Sequence, residues 1–510
     1  MATNTLSHTE GDFAPGVTRG ATPTNPGKAT KLFKAAKYTT VLILLFLLSL
    51  PLSNPWVRGD GVGYYAYARA VLIEHRLDFT RDWQHGNESF VMGRVDRYGR
   101  VRPQQYTATG HLINLWAVGP SILWAPFLLL THLGVRLCNQ LGAHIPADGF
   151  SLPYVTTMAL ATSLYGFLGL WISFNLARKY FAERWAFLAT IGVWWASSLP
   201  VYMYFNPSWS HAHSAFTVAL FLWYWHRTRA ERTAGQWIVL GLLSGLMVNV
   251  YYPNGVFLLI PLLEAVQVYW RMWKRAPQES RPVLRTFATH LAYFVTFLIA
   301  MLPTFITRWI IFGHPLRTGY MGASDWDWSS PDFWNVLWSS DHGLLIWTPI
   351  IILALIGLAL FGRADKAFAG YVITAAVAFY VVIAFYPDWD GLSSFGNRFF
   401  ISLTPVFLLG LAAFFDALGR VWQERRAAIA ASVATAVFII WNLGLIFQWG
   451  MHLIPPRGSV SWRVAAYNQV AVVPARAVSS LEKYFTRRQK LMDTIEQTDV
   501  KQIKTGQTSP

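Results

Sequence analysis

The sequence has a single cysteine, Cys138, which excludes an internal disulfide, a cysteine-built zinc site and an iron–sulfur cluster. Charge is scarce as well: 13% of the 510 residues are Asp, Glu, Lys or Arg, where an ordinary soluble domain carries about a quarter. Set against 54% apolar residues, that deficit excludes a soluble multidomain enzyme and excludes disorder as the overall state. Long alternating stretches are missing too, which argues against a transmembrane barrel. No internal repeat is evident.

What the chain has instead is continuous apolar sequence and many aromatics, with 25 Trp, 34 Phe and 22 Tyr, a load suited to repeated membrane–water interfaces. Apolar segments fall at 37–55, 111–131, 152–177, 185–205, 212–226, 236–252, 254–270, 286–312, 343–361, 368–386, 399–418 and 427–450. Most approach the ~20 residues that a helix needs to cross a bilayer. The expectation is an all-α polytopic membrane protein. Residues 1–36 are rich in Gly, Pro and Thr and read as a disordered cytoplasmic tail. The lysines Lys28, Lys31, Lys34 and Lys37 precede the apolar run Val41–Leu52, a pattern that favours a retained anchor over a cleaved signal peptide. Tyr252-Pro253-Asn254-Gly255 reads as a tight turn between two spans.

Orientation follows from Lys and Arg in the short linkers. The linkers 178–184, 227–233, 271–285, 363–366 and 420–426 hold sixteen basic residues against five acidic. The loops 132–151, 206–211, 313–342 and 387–398 hold Arg136, Arg317 and Arg398 against seven Asp. The first set is placed in the cytoplasm and the second outside. The net charge of +16 is thus mostly a topology signal that requires no nucleic acid. The parity closes if 111–131, with Gly119-Pro120 and Pro126, is a broken re-entrant or juxtamembrane element on the outer side. That leaves about eleven spans, a large first outer loop at 57–151, and a basic tail at 451–510 on the outer side, associated with the membrane surface.

Four stretches carry candidate chemistry. Directly after the first span stands Arg58-Gly59-Asp60-Gly61-Val62-Gly63-Tyr64, followed by a short interfacial helix to about His75. Three glycines around one Asp permit close backbone approach, and a partly desolvated carboxylate there is a usable proton acceptor. The plainer alternative is a turn Asp that caps the next helix. Val91–Arg102 alternates like a small Arg-rich hairpin that could face lipid phosphate or solvent. Phe205–Ser214 holds His211 and His213, whose i, i+2 spacing does not share a helix face and so disfavours a metal pair on one helix. One of them could donate to a phosphate or sugar while the other is structural. Two outer loops each contain Asp-Trp-Asp, at 325–327 and 388–390, similar to the metal-binding Asp pair of nucleotide-sugar enzymes. Carbohydrate stacking on Trp389 or Trp326 explains the aromatics equally well. Arg398, in Phe395-Gly396-Asn397-Arg398-Phe399, can hold a phosphate bidentately or anchor at the interface by snorkelling.

Taken in order, these residues resemble the GT-C glycosyltransferase superfamily, in the branch with protein O-mannosyltransferases and the lipid A aminoarabinose transferase. The matching features are Asp60 just after the first span, the large first outer loop, and a span ending in Leu176-Ala177-Arg178-Lys179-Tyr180-Phe181. Gly119–Phe127, Phe312-Gly313-His314-Pro315 and Phe395–Phe399 match as well. The resemblance covers about residues 37 to 450. It implies a polyprenyl-phosphate sugar donor on the outer leaflet, attack by an acceptor hydroxyl with inversion, and Asp60 as general base. The leaving phosphate then needs a cation: Arg398, assisted by Arg102 or Arg58. Candidate substrate contacts are His211, His213, Tyr64, Trp389, Asp390 and Asn397. No cofactor or obligatory metal is expected, with divalent-metal dependence left open by the histidines. Expected partners are the lipid-linked donor, membrane lipids and a lipid, glycan or protein acceptor, at the inner (plasma) membrane with the site facing the exterior. The chain departs from the family in lacking a Glu-Lys-Pro-Pro element in the first loop. It also has His211 and His213 where relatives often carry an acid. A lipid-linked glycan ligase or polymerase, or a lipid-linked sugar transporter, remain as alternatives. A transporter would place charge mid-span, where this chain has almost none.

Overall fold

The computed structural model describes residues 26–274, 281–320 and 322–505. Helix α1 (Pro26–Ser49) carries the first apolar run. Four helices, α2 (Asp60–Leu72), α3 (Thr80–His85), α4 (Glu88–Val91) and α5 (Gly119–Gln140), make the connection to α6 (Leu152–Ala177). Then come α7 (Glu183–Trp195), α8 (His211–Thr228), α9 (Ala234–Val250), α10 (Leu259–Lys274) and α11 (Arg281–Phe312). The short α12 (Phe333–Trp338) and α13 (Leu344–Trp347) lead into α14 (Ile350–Phe361), α15 (Lys366–Ala384), α16 (Thr404–Val421) and α17 (Glu424–Gly450). Three more, α18 (Trp462–Tyr467), α19 (Val473–Thr486) and α20 (Arg488–Lys504), form the C-terminal region.

Local chemistry sets several boundaries. Thr233 and Gln236 close a capping box at the start of α9, and the Asp365 side chain accepts from the Phe368 amide to cap α15. Pro153, Pro405 and Pro474 sit in the first turns of α6, α16 and α19, where a missing N–H costs nothing. Helix α16 is apolar all round up to Phe415 because it lies at the centre, with every residue of Thr404–Ala413 buried. It crosses α14 so closely that a Cβ on Gly357 would lie 1.8 Å from the Gly410 carbonyl oxygen.

The protein is an all-α polytopic membrane protein: among the described residues seven helices are long and apolar enough to cross a membrane, and three shorter apolar ones accompany them. Among the described residues there is no strand. The basic linkers gather at one end of the bundle, where Tyr180 bonds His226 and Asp365, Arg229 pairs with Asp365, and Arg184 with Glu424. At the other end Asn54, just after α1, meets the Tyr204 carbonyl, and the loops that carry the candidate site converge there.

Several local expectations change. Residues 1–25 of the expected tail lie outside the described residues, and from Pro26 the chain is already helical. Pro126 does not break α5, which runs through it as one helix. Its register explains how so long a helix avoids running beside α1. Leu123 and Trp124 bond Tyr165 and Thr162, while Thr131 and His132 bond Thr157 and Tyr154. Ser53, at the end of the first span, bonds Ser163. So α5 starts at the level where the first span ends and runs on past the first residue of α6. The Tyr252 break is a 3₁₀ turn (Tyr252–Leu258), longer than a tight turn. The expected hairpin reduces to an isolated pairing of Val95 with Val101.

Candidate functional site

Asp60 is the first residue of α2, and the glycines around it serve the expected purpose. A Cβ on Gly61 would meet Ser208 Oγ at 1.9 Å, and one on Gly63 would meet the Trp116 ring at 1.8 Å. The bare backbone therefore lets the start of α2 lie directly on the loop before α8 and on the segment before α5. Gly59, at φ +53°, donates its N–H to Asn87 Oδ1 at 2.9 Å, which fixes the turn that presents Asp60.

Asp60 faces a cavity of about 1390 Å³ at the end away from the basic linkers. Its walls are largely apolar, with Trp195, Phe205, Tyr251, Phe399 and Phe447 among them, and Asp60, Arg398, Arg94, Tyr64 and His211 are among its polar groups. Arg398, 338 positions later, donates from Nη1 to Asp60 Oδ2 at 2.8 Å. A 3₁₀ turn (Arg398–Leu403) holds Arg398, and its guanidinium carbon lies 4.4 Å over the Trp209 ring. Trp209 is itself fixed by donating to the Arg58 carbonyl at 3.0 Å. The Arg398 Nε is buried without a partner.

Two other expected residues join this group. Tyr64 lines the cavity and accepts from Ser210 Oγ at 3.0 Å; burial, and then the Asp60 carboxylate, push its hydroxyl pKa up. His211 lines it too, wedged edge-on between Tyr202 and Tyr251 with Nδ1 buried and unpartnered. Arg58 borders the cavity, but its guanidinium is taken by Asp499 at 2.6 Å.

The remaining expected residues lie apart. Arg102 is exposed and does not border the cavity; its Nε reaches only the Val95 carbonyl, at 3.4 Å. His213, on the next face of α8, is fully buried against Trp124 and Tyr165. Trp389, Asp390 and Asn397 sit behind the wall, where Asn397 Nδ2 donates to the Trp389 carbonyl at 3.0 Å and so braces the loop leading to Arg398. From that loop it is Asp388 that borders the cavity. Burial, then the neighbouring Asp390, hold the Asp388 carboxyl above its ordinary range.

Two contributors were missed in the sequence. Arg94, half-buried over the Phe90 ring, lines the cavity and donates to the Phe90 carbonyl at 2.9 Å. Burial works against its charge and the Asp60 carboxylate supports it. The available signal was its position: among the arginines of 91–102 it stands nearest the apolar run Phe90-Val91-Met92. The second is the C-terminal region, which roofs the cavity. Pro474, Leu481 and Tyr484 of α19 and Met492, Ile495 and Asp499 of α20 all border it. Tyr484 donates to the Leu52 carbonyl at 2.6 Å, Asn54 bonds Met492, and Glu496 accepts from Asn87 and the Ser89 amide. The signal here was Met492, Glu496 and Asp499, which share one helix face.

In comparisons with known proteins, no family profile and no curated protein matches the sequence. Among solved structures, the chain is similar to the crystal structure of ArnT from Cupriavidus metallidurans in the apo state. That similarity has a TM-score of 0.41 and 14% sequence identity, over 82% of this chain and 72% of that one.

Proposed function

We propose that the protein is an integral-membrane glycosyltransferase of the GT-C type. It would move a sugar from a polyprenyl-phosphate donor to an acceptor hydroxyl, with inversion and with Asp60 as general base. The reading has the active site on the outer face of the plasma membrane, residues 57–151 as a first outer loop, and a lipid, glycan or protein as acceptor. The observation that carries it is the Asp60–Arg398 contact at 2.8 Å at the edge of a large, mostly apolar cavity. An acid and a cation paired on the wall of a mostly apolar chamber suit an amphiphile with an anionic head.

The chemistry balances on these residues. The acceptor oxygen forms a bond to the anomeric carbon as the carbon–oxygen bond to the lipid phosphate breaks. The acceptor proton passes to Asp60, and the phosphate leaves with the bonding pair beside Arg398 and Arg94. Asp60 accepts from Arg398 through Oδ2, which leaves Oδ1 to take the acceptor proton, and a donor phosphate that draws on the same guanidinium competes with the carboxylate for it.

The test is release of polyprenyl phosphate by purified protein from donors carrying the common sugars. Turnover with any of them is the expected result. No turnover across the set contradicts the monophosphate-donor reading, and turnover with diphosphate-linked glycans would favour a ligase.

A further inference from the structure

Behind the cavity wall, two loops bring together three potential ligands that the proposed transfer does not use. Asp341 and His342 precede α13, Asp390 belongs to the loop that leads to Arg398, and one ligand atom from each lies within 4.8 Å of the other two. His342 is fully buried. Its Nδ1 lies 3.1 Å from the Asp390 carbonyl and 3.6 Å from Asp341 Oδ1. Its other nitrogen, Nε2, is buried with no partner, and so is Asp341 Oδ1. Buried polar atoms in a folded protein are almost always satisfied, so the unpartnered Nε2 and the unpartnered Asp341 Oδ1, which lies on the Nδ1 side of the same ring, each call for a partner. The ring is held in place by Trp347, whose centroid is 4.9 Å away and whose indole donates to the Ser340 carbonyl. Asp390 is oriented in turn, accepting from the Leu392 amide at 3.1 Å.

We propose that Asp341, His342 and Asp390 bind one divalent transition-metal cation of the Zn²⁺ type, which pins the Asp341–His342 loop to the loop that carries Arg398. Two carboxylates and an imidazole suit a borderline cation; the imidazole selects against Ca²⁺ and Mg²⁺, which prefer all-oxygen sites. Ligand atoms around a tetrahedral Zn²⁺ are about 3.4 Å apart, so small side-chain rotations close this set. The consequence for the cavity runs through Gly391, next to Asp390: a Cβ there would lie 3.3 Å from Arg398 Nε. The metal thus fixes the backbone against which the Arg398 side chain packs. Asp341, His342 and Asp390 are positioning residues, and the ion holds no substrate.

The test is metal analysis of the full-length protein in detergent, stripped with chelator and re-equilibrated with Zn²⁺, which needs no substrate and so stands or falls apart from the transferase reading. About one Zn²⁺ per chain is expected, with a Tm several degrees higher than in the stripped protein. Both effects should vanish in Asp341→Asn and Asp390→Asn, while Ca²⁺ leaves Tm unchanged. Co²⁺ in the wild-type protein should give the absorption bands of a low-coordinate nitrogen–oxygen site, a readout that survives if the variants fold poorly. Substoichiometric Zn²⁺ with no change in Tm overturns the proposal. So does Zn²⁺ retained in full by both variants, which would place the ion elsewhere.

Discussion

Replacing Asp499 with alanine removes the carboxylate that pins helix α20 over the cavity. It accepts from Arg58 at 2.6 Å and from His452 at 2.8 Å, with all three side chains between 11 and 19% exposed. A hydrogen bond to a charged group contributes about 1.5–3 kcal/mol when fully buried. Partial exposure moves each to the bottom of that range or below it, so the two together give roughly 2 kcal/mol of resistance to local opening. Hydrogen exchange of the α20 amides should therefore accelerate about 30-fold in Asp499→Ala, at 1.36 kcal/mol per decade. Exchange in α6, α14 and α16 should not change, because none of them contacts the carboxylate. The pH dependence has a definite sign. Burial pushes the Asp499 carboxyl up, but the His452 hydrogen bond and the Arg58 charge outweigh it and hold the carboxyl below its ordinary range. A depressed folded-state value means the stabilisation is complete above the unfolded pKa of about 3.9. It fades as pH falls through the lower folded value. Wild-type α20 should thus loosen in acid, after correction for intrinsic exchange, and the alanine variant should show no such step. Unchanged α20 exchange in the variant, or acceleration spread evenly over the bundle, would refute the idea of a locally pinned roof.

Two further comparisons separate residues that stand close together in the sequence. Arg94→Ala should lower kcat/KM for a lipid-phosphate substrate by about 10–100-fold, the equivalent of one charge-assisted hydrogen bond. Arg102→Ala should stay within about 2-fold, because that side chain does not border the cavity. His213→Ala should cost roughly 2–4 kcal/mol of stability by emptying a packed site among Trp124 and Tyr165, with KM unchanged in the folded fraction. His211→Ala should raise KM as well as lower Tm, since this ring borders the cavity while packing between Tyr202 and Tyr251.

Apolar period and charge bias are local signals repeated over many residues, so most of the eleven segments counted as spans are helical. The segment 185–205 is interrupted after Trp195 and 343–361 after Trp347, and the helices long and apolar enough to cross include α5, which that count left out. The start of the site was legible for a related reason. Gly59, Asp60, Gly61 and Gly63 are adjacent in sequence, and their glycines declare a close approach whatever lies opposite. Arg398 could be named as a phosphate-type cation from its own neighbours, but its contact with Asp60 spans 338 positions that no local pattern encodes. His211 and His213 show the limit more sharply. Two residues apart at the start of α8, they face opposite environments because the helical turn sends one toward the cavity and the other into the core. Arg94 and Arg102 pair across their turn, Arg102 donating its amide to the Arg94 carbonyl at 2.9 Å, yet only one side chain points inward. The roof was hidden for a different reason. Helix α20 is polar, with Glu496 and Asp499 on its buried face. Polar contacts in place of an apolar stripe leave no hydrophobic period to find.

The most direct measurement is sugar transfer from a polyprenyl-phosphate donor by purified protein, with Asp60→Asn compared against wild type and donor binding measured in parallel. The variant keeps the size of the side chain and loses the proton acceptor. Turnover should fall by roughly 10²–10⁴-fold, the usual contribution of a general base. Donor affinity should hold or rise, since Arg398 is released from its carboxylate partner. Turnover within a few-fold of wild type, or a loss of donor binding that matches the loss of rate, would contradict Asp60 as the base.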